Sequence, residues 1–282
     1  MKILHLVLSY FPAHRHGGPI ASVHAMNKAL VAAGAEVTVY TTNIDGSALL
    51  DAPLGRPVVL DGVKVVYFPL TSRPWVYSRA LHRALARDMA NFDIVHITSV
   101  FLSASTLGAY YAKKFKRPYV ISPRGSLMKE PLAMKNTFLK RIYLAALERK
   151  NLAGAAAIHF TTEKEKEEYI TAGFPLQKSV VIPNAYEEEQ GAGNVGSVDV
   201  RNKFGIPRNA PIVLSLGRIT WKKGFDTLIP AFKKVGEQIS DAVLVIAGND
   251  EEGYQENVKA LISNFKLEDS TIFTGMVLGA EK

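Results

Sequence analysis

Cysteine is absent from the 282 residues. That excludes a disulfide framework and thiolate metal sites, and it makes the cytoplasm the expected location. No apolar run reaches the roughly 18–20 residues of a membrane span. The opening MKILHLVLSYF has the apolar content of a signal peptide, but HRHGG follows it instead of a small-residue cleavage site, so it reads as a first buried strand. Internal repeats and low-complexity tracts are also missing. No GxGxxG follows the first strand, which argues against a dinucleotide site. An aromatic-basic motif is lacking too, so no nucleic-acid partner is expected. His14 and His16 read as solvated loop residues, because a metal needs more ligands than two histidines with no carboxylate nearby.

What is present is ordinary for a soluble globular protein: 48% hydrophobic and 21% charged residues, in a chain long enough for two domains of about 100–150 residues. The positive charge is local. Eleven Lys/Arg and two Glu between Tyr111 and Lys150 sum to +9, so the rest of a chain of net +8 sums to −1. Within that segment Phe138, Leu139, Ile142, Ala145 and Ala146 share one helical face, and Lys140, Arg141 and Glu148 group away from it. One reading is a core-packed helix with a solvated side. The other is contact of 111–150 with an anionic acceptor or an anionic membrane surface, which would place the protein peripherally on the inner face of the membrane.

Buried-type strands are expected at 2–8, 36–42, 64–68, 93–98, 118–122, 156–161 and 179–183, with helical patterns at 19–33, 76–90, 102–115, 137–151 and 162–171. The last opens on Thr162 and Glu165, a capping-box pair, and stops at Gly173. Continuous apolar strands alternating with helices indicate a parallel sheet covered on both faces. After Pro183 the chain turns polar and glycine-rich. A second series then runs strand 211–216, helix 224–237, strand 242–247, helix 251–264, strand 271–274. The expected organisation is α/β in two Rossmann-like domains, 1–184 and 210–282, joined by a linker at 185–209, the second domain incomplete.

Three loops at expected strand ends carry candidate chemistry, since open α/β sheets place ligands at the carboxyl ends of their strands. The first is SYFPAHRHGGP. Gly17 and Gly18 leave backbone N–H groups and a helix N-terminus open to an anion, and Pro19 suits the first helical position; a plain flexible turn is the alternative. The second is SLGRITWKKGF. Arg218 and Lys223 lie in a connection opened by Gly217 and closed by Gly224, before a helix whose N-terminus disfavours cations, so an anion between them is expected. A solvated basic loop is the competing reading, and Lys222 is the expected spectator. The third pairs DIVHITS with SPRGSL. His96 reads either as a satisfied core histidine or as a site residue, and Arg124 sits before a glycine at a strand's carboxyl end.

KILHLVLSYFPAHRHGGP, DIVHIT, SPRGSL, VVIPNA and above all SLGRITWKKGFDTLIPAF followed by LVIAGND and IFTGMV resemble the retaining GT-B glycosyltransferases of group one (family four), over essentially the whole chain. The resemblance implies an acceptor-binding N-domain and a C-domain that binds a nucleotide sugar, the acceptor being a glycan or a lipid-linked molecule. It implies that Arg218 and Lys223 hold the donor diphosphate without a metal or other cofactor. It further implies that Gly17 and Gly18 approach the phosphates and sugar, and that Gly275, Met276 and Val277 contact the base. His96, Arg124 and Gly217, read from their places at strand ends, are the further substrate-binding residues expected. Three departures stand out. Arg124 occupies a slot where many members have histidine, and arginine cannot act as a base at neutral pH. Ala185 replaces the usual glycine after the hinge asparagine. The family's pair of glutamates seven residues apart, beyond IFTGMV, has no counterpart, so a chain truncated within the C-domain and inactive by itself is expected. The alternative is a catalytically dead remnant that binds a nucleotide, a membrane or a partner.

Overall fold

β-Branched and apolar runs flanked by glycine and capped helices build the fold. A computed structural model describes residues 1–15, 18–133, 142–185, 200–250 and 253–277. Two units separate, Met1–Tyr186 and Glu187–Lys282. Among the described residues no helix is long and apolar enough to cross a membrane.

In the first unit the order is β1 (Lys2–Leu6), α1 (Gly18–Ala32), β2 (Glu36–Thr42), a small hairpin of β3 (Ile44–Asp45) and β4 (Ala48–Leu49), β5 (Pro57–Leu60), β6 (Val63–Phe68) and α2 (Arg79–Asp88). Then come β7 (Ile94–Thr98), α3 (Ser103–Lys114), β8 (Tyr119–Ser122), α4 (Lys129–Ala133), a π-helical turn Leu144–Glu148 leading into α5 (Arg149–Ala153), β9 (Ala157–Phe160), α6 (Glu163–Thr171) and β10 (Ser179–Val181). One sheet results, ordered β10-β9-β8-β7-β1-β2-β6-β5, parallel except for the antiparallel pair β5–β6. The chain runs outward from β1 in one direction and returns to β7 on its other side, so β1/β7 is the topological switch point.

Local chemistry fixes several of these elements. Ser78 caps α2 by accepting from Leu81 N. The box expected at α6 is half formed. Thr162 Oγ1 accepts from Glu165 N at 3.0 Å, but the Glu165 carboxylate reaches Thr161 N and Gly125 N instead of the cap N–H. Gly173 then ends the helix in the left-handed conformation (φ 68). Gly108 on α3 lets helix and sheet meet closely, since a Cβ there would lie 2.3 Å from Leu6 Cδ1. Leu4, Leu6, Leu81, Leu85, Ile97 and Phe160 lie in the core on that side.

In the second unit α7 (Val200–Phe204) falls within the span expected as linker; residues 186–199 lie outside the described residues. Next come β11 (Ile212–Leu216), α8 (Phe225–Gln238), β12 (Val243–Ala247), α9 (Gln255–Asn264) and β13 (Thr271–Gly275), forming a parallel sheet β11-β12-β13. β12 is buried throughout, as a strand covered on both faces should be. β11 departs from that expectation: Ile212, Leu214 and Leu216 point alternately to one face and remain 38%, 58% and 44% exposed.

Candidate functional site

The second unit gathers three glycines at the carboxyl ends of its strands. Gly217 N donates to Ala247 O at 2.8 Å, Ile219 N to Asn249 O at 2.9 Å, and Gly248 N to Gly275 O at 2.8 Å. Because none of the three glycines carries a side chain, the strand ends pack backbone to backbone. Trp221–Lys223 forms one 3-10 turn, and Gly224 (φ 66) is the N-cap of α8, so no side chain there caps the helix's first N–H groups. The Lys223 side chain lies over Gly217: a Cβ at Gly217 would meet its Cε at 3.2 Å and Nζ at 3.3 Å. Lys222 turns the other way, with Nζ 5.4 Å from the centre of the Trp221 ring. Arg218 is half-buried and Lys223 exposed, and among the described residues neither side chain has a hydrogen-bonding or ionic partner. Two cations unpaired among the described residues, beside a helix N-terminus, have the charge and the free donors to take an anion. Met276 follows β13 with 42% exposure and Val277 is half-buried.

The first unit places a polar row along its switch point. His5 and His96 are register partners on β1 and β7, their rings stacked 4.3 Å apart. His159 on β9 shares their face, and its Nδ1 lies 3.5 Å from His96 Nε2. The ends of the row are tied: His5 Nδ1 donates to Asn27 Oδ1 (2.7 Å), Thr98 Oγ1 donates to His5 Nε2 (2.8 Å), and His159 Nε2 donates to Ile182 O (3.0 Å). Asn27 continues through Tyr10 to His24 and Asp61, which joins α1 to the sheet. Burial lowers the pKa of all three row histidines, that of His5 to about 4, so the row is neutral at physiological pH.

Arg124 stands at the end of β8 in the left-handed conformation (φ 53), followed by Gly125 (φ 76). Its Nη1 donates to Ser22 Oγ on α1 and to Asn184 Oδ1 beyond β10. Gly125 N is held by Glu165 Oε1 at 2.6 Å. The structure thus brings His96 and Arg124 to one sheet end. Gly18 is the first residue of α1, while Gly17 and His16 lie outside the described residues. Ser22 and Gly248 are contributors that sequence reading missed, Gly248 with a signal as a glycine directly after a buried strand; Glu165 was expected only as a helix cap and Asn184 only as the hinge asparagine. Among the described residues no three His, Cys, Asp or Glu side chains converge as a metal site would require.

The basic segment differs from expectation in one respect. Glu148, read as grouping with the solvated cations, is 1% exposed and accepts from Phe101 N at 3.1 Å. Phe101 has a positive φ of 65, and its N–H points into the protein, where a buried carboxylate satisfies it. Ile142 is half-exposed at 50%; Phe138, Leu139, Lys140 and Arg141 lie outside the described residues.

Two parallel α/β units with polar groups at the strands' carboxyl ends are the architecture of the GT-B class, and the solved structures bear that fold out. The solved structure of Anabaena Alr3699/HepE in complex with UDP-glucose shares the fold, with a TM-score of 0.67 and 18% identity over 99% of this chain and 70% of that one. The chain belongs to the glycosyl transferase 4-like family, whose domain matches residues 17–185, and residues 198–280 match the glycosyl transferases of group 1. Curated relatives include the alpha-monoglucosyldiacylglycerol synthase of Streptococcus pneumoniae, 25% identical over 97% of this chain and 61% of the relative. The mannosylfructose-phosphate synthase of Agrobacterium fabrum is 22% identical over 93% of this chain and 62% of the relative. The chain therefore spans about three fifths of the length of these relatives.

Proposed function

We propose that the protein is a retaining glycosyltransferase of hexosyltransferase type, which moves a sugar from a nucleotide-sugar donor to a glycan or lipid-linked acceptor. The observation that carries this reading is the pair Arg218 and Lys223, set at the carboxyl end of β11 with no acidic partner among the described residues. As the glycosidic bond breaks, negative charge grows on the leaving diphosphate. Cations already in position stabilise that charge without reorganising, and they do so without a metal. Gly217 lets Lys223 lie against the loop, and Gly275, Met276 and Val277 lie at the end of β13, across β12 from it, where a base would sit. His96, Arg124 and the start of α1, with Gly17 and Gly18, serve the sugar and acceptor. One relative is named as a synthase of a glucosylated diacylglycerol, which supports a lipid-linked acceptor and a peripheral position at the cytoplasmic membrane face.

The glutamate pair implied by the resemblance has no counterpart among the 282 residues, so we expect these residues to bind nucleotide diphosphates without transferring sugar. Calorimetric titration with UDP-, GDP- and ADP-sugars, followed by a transfer assay, tests both. Failure of every nucleotide to bind would overturn the transferase reading, and turnover above a Lys223→Ala control would overturn the inactivity.

A further inference from the structure

Arg124 is a half-buried guanidinium with no ion pair among the described residues. This inference rests on the reading of the first unit's sheet end as a substrate face and makes it more specific. We propose that Arg124 binds an oxyanion carried by a sugar, a carboxylate or a phosphoryl group, so that one of the two substrates is an acidic sugar.

The polar contacts of the side chain are few. Nη1 donates to Ser22 Oγ at 3.3 Å and to Asn184 Oδ1, both neutral. Nε is shielded from solvent with no acceptor, and Nη2 donates to nothing among the described residues. Nε and Nη2 form the side-on edge of the guanidinium, the edge that fits the two oxygens of a carboxylate or phosphate. The charged and titratable groups around it do not compensate the charge. His5, His96 and His159 are held neutral, and Arg124 itself helps to keep their pKa values low. Among the described residues Glu165 is the acid that acts on it, but its two oxygens accept from Gly125 N, Thr161 N and Thr161 Oγ1 and form no ion pair with Arg124.

Burial opposes the charge of Arg124, lowering its pKa, and a desolvated charge without a partner is unfavourable. The backbone maintains this arrangement in a conformation that non-glycine residues rarely adopt, φ 53, secured by Ser126 N donating to Pro123 O and Met128 N to Gly125 O. A second orphan lies two residues earlier: Ser122 Oγ is buried with no partner, on the same face of β8 as the histidine row. A neutral sugar hydroxyl would satisfy one N–H but leave the charge uncompensated. An oxyanion satisfies both donors and the charge together.

The test follows the Arg124 Nε–H resonance of the 282-residue chain by NMR, assigned by its loss in Arg124→Lys. Glucuronic acid, glucose 6-phosphate, inorganic phosphate and glucose are titrated separately. The expected result is a saturable shift with at least one sugar acid, bound about tenfold or more tightly than glucose and weakened by a similar factor in Arg124→Gln. Glucuronic acid alone would identify a carboxylate, and glucose 6-phosphate alone a phosphoryl group. Equal binding by glucose, no shift with either sugar acid, or inorganic phosphate binding as tightly as glucose 6-phosphate (an adventitious ion only) would overturn the proposal. A parallel UDP titration read at the Gly217 and Gly248 amides separates the two readings: UDP binding with no sugar-acid binding sinks only this one.

Discussion

A methyl group on Gly248 would stand 1.8 Å from the carbonyl oxygen of Gly217. The obstacle is backbone that is itself hydrogen-bonded to β12, so it cannot swing aside as a flexible side chain would. Gly248→Ala is expected to separate the ends of β11 and β12, to destabilise the second unit by roughly 1–3 kcal/mol, and to abolish nucleotide binding. Urea unfolding together with UDP calorimetry checks this; a wild-type affinity in the variant would refute it.

Arg218→Ala and Lys223→Ala should each weaken nucleotide-diphosphate binding by about 1.5–3 kcal/mol, the range of charge-assisted hydrogen bonds. Lys222→Ala should change it far less, because Lys222 turns towards the Trp221 ring. Calorimetry on the three variants decides; equal, small losses in all three would make the loop a solvated basic surface.

The histidine row predicts acid sensitivity with a definite sign. The folded pKa of His5 is about 4, against 6.5 for the free side chain. Between those values the unfolded chain holds more protons, so stability falls as pH drops from about 6.5 towards 4. For His5 alone the full loss is roughly 3 kcal/mol. Glu148, whose carboxyl pKa burial pushes up, changes in the opposite sense. Urea unfolding at pH 7 and pH 5 should therefore show a decline in wild type that is shallower in His5→Asn. A slope unchanged by the substitution would remove His5 as its source.

Glu165 ties three donors from two loops. Glu165→Ala would leave those donors unsatisfied and is expected to cost about 3 kcal/mol, with Glu165→Gln intermediate because one carbonyl oxygen remains. Thermal unfolding of both variants tests the order; an alanine variant as stable as wild type would contradict it.

The cationic segment 111–150 is expected to favour anionic over neutral vesicles at low salt, each surface cation adding about 1 kcal/mol. Cosedimentation with phosphatidylserine and phosphatidylcholine vesicles reads this directly. Equal partition into both would leave the segment as a solvated face.

Much of the fold was legible because its elements advertise themselves locally. β12 is an unbroken apolar run, and helix α6 opens on Thr162 and stops at Gly173, so period and punctuation locate both. β5 was missed although its signal was present: Asp61 and Gly62 have φ values of 50 and 80, the two-residue turn that an Asp-Gly pair favours between antiparallel strands. Other features could not be read in this way. Glu148 on a helix reads as solvated, and only the distant Phe101 N–H explains its burial. Arg124 drew notice as an arginine at a strand end. Its contacts with Ser22 and Asn184 bridge 102 and 60 residues of chain, which no local pattern encodes.

The chain of hydrogen bonds from Asp61 through His24, Tyr10 and Asn27 to His5 works as an index mark for α1. A packed apolar helix face tolerates small slides and rotations, but a row of directional contacts has one setting. The next equivalent position is a full turn away, about 5.4 Å along the axis, and reaching it would break every link at once. The first turns of α1, Ser22 among them, are therefore held at a fixed distance from the centre of the sheet whether or not anything is bound. A ligand bound there would meet a gauge already cut to size, and would be selected by length and charge more than by closure.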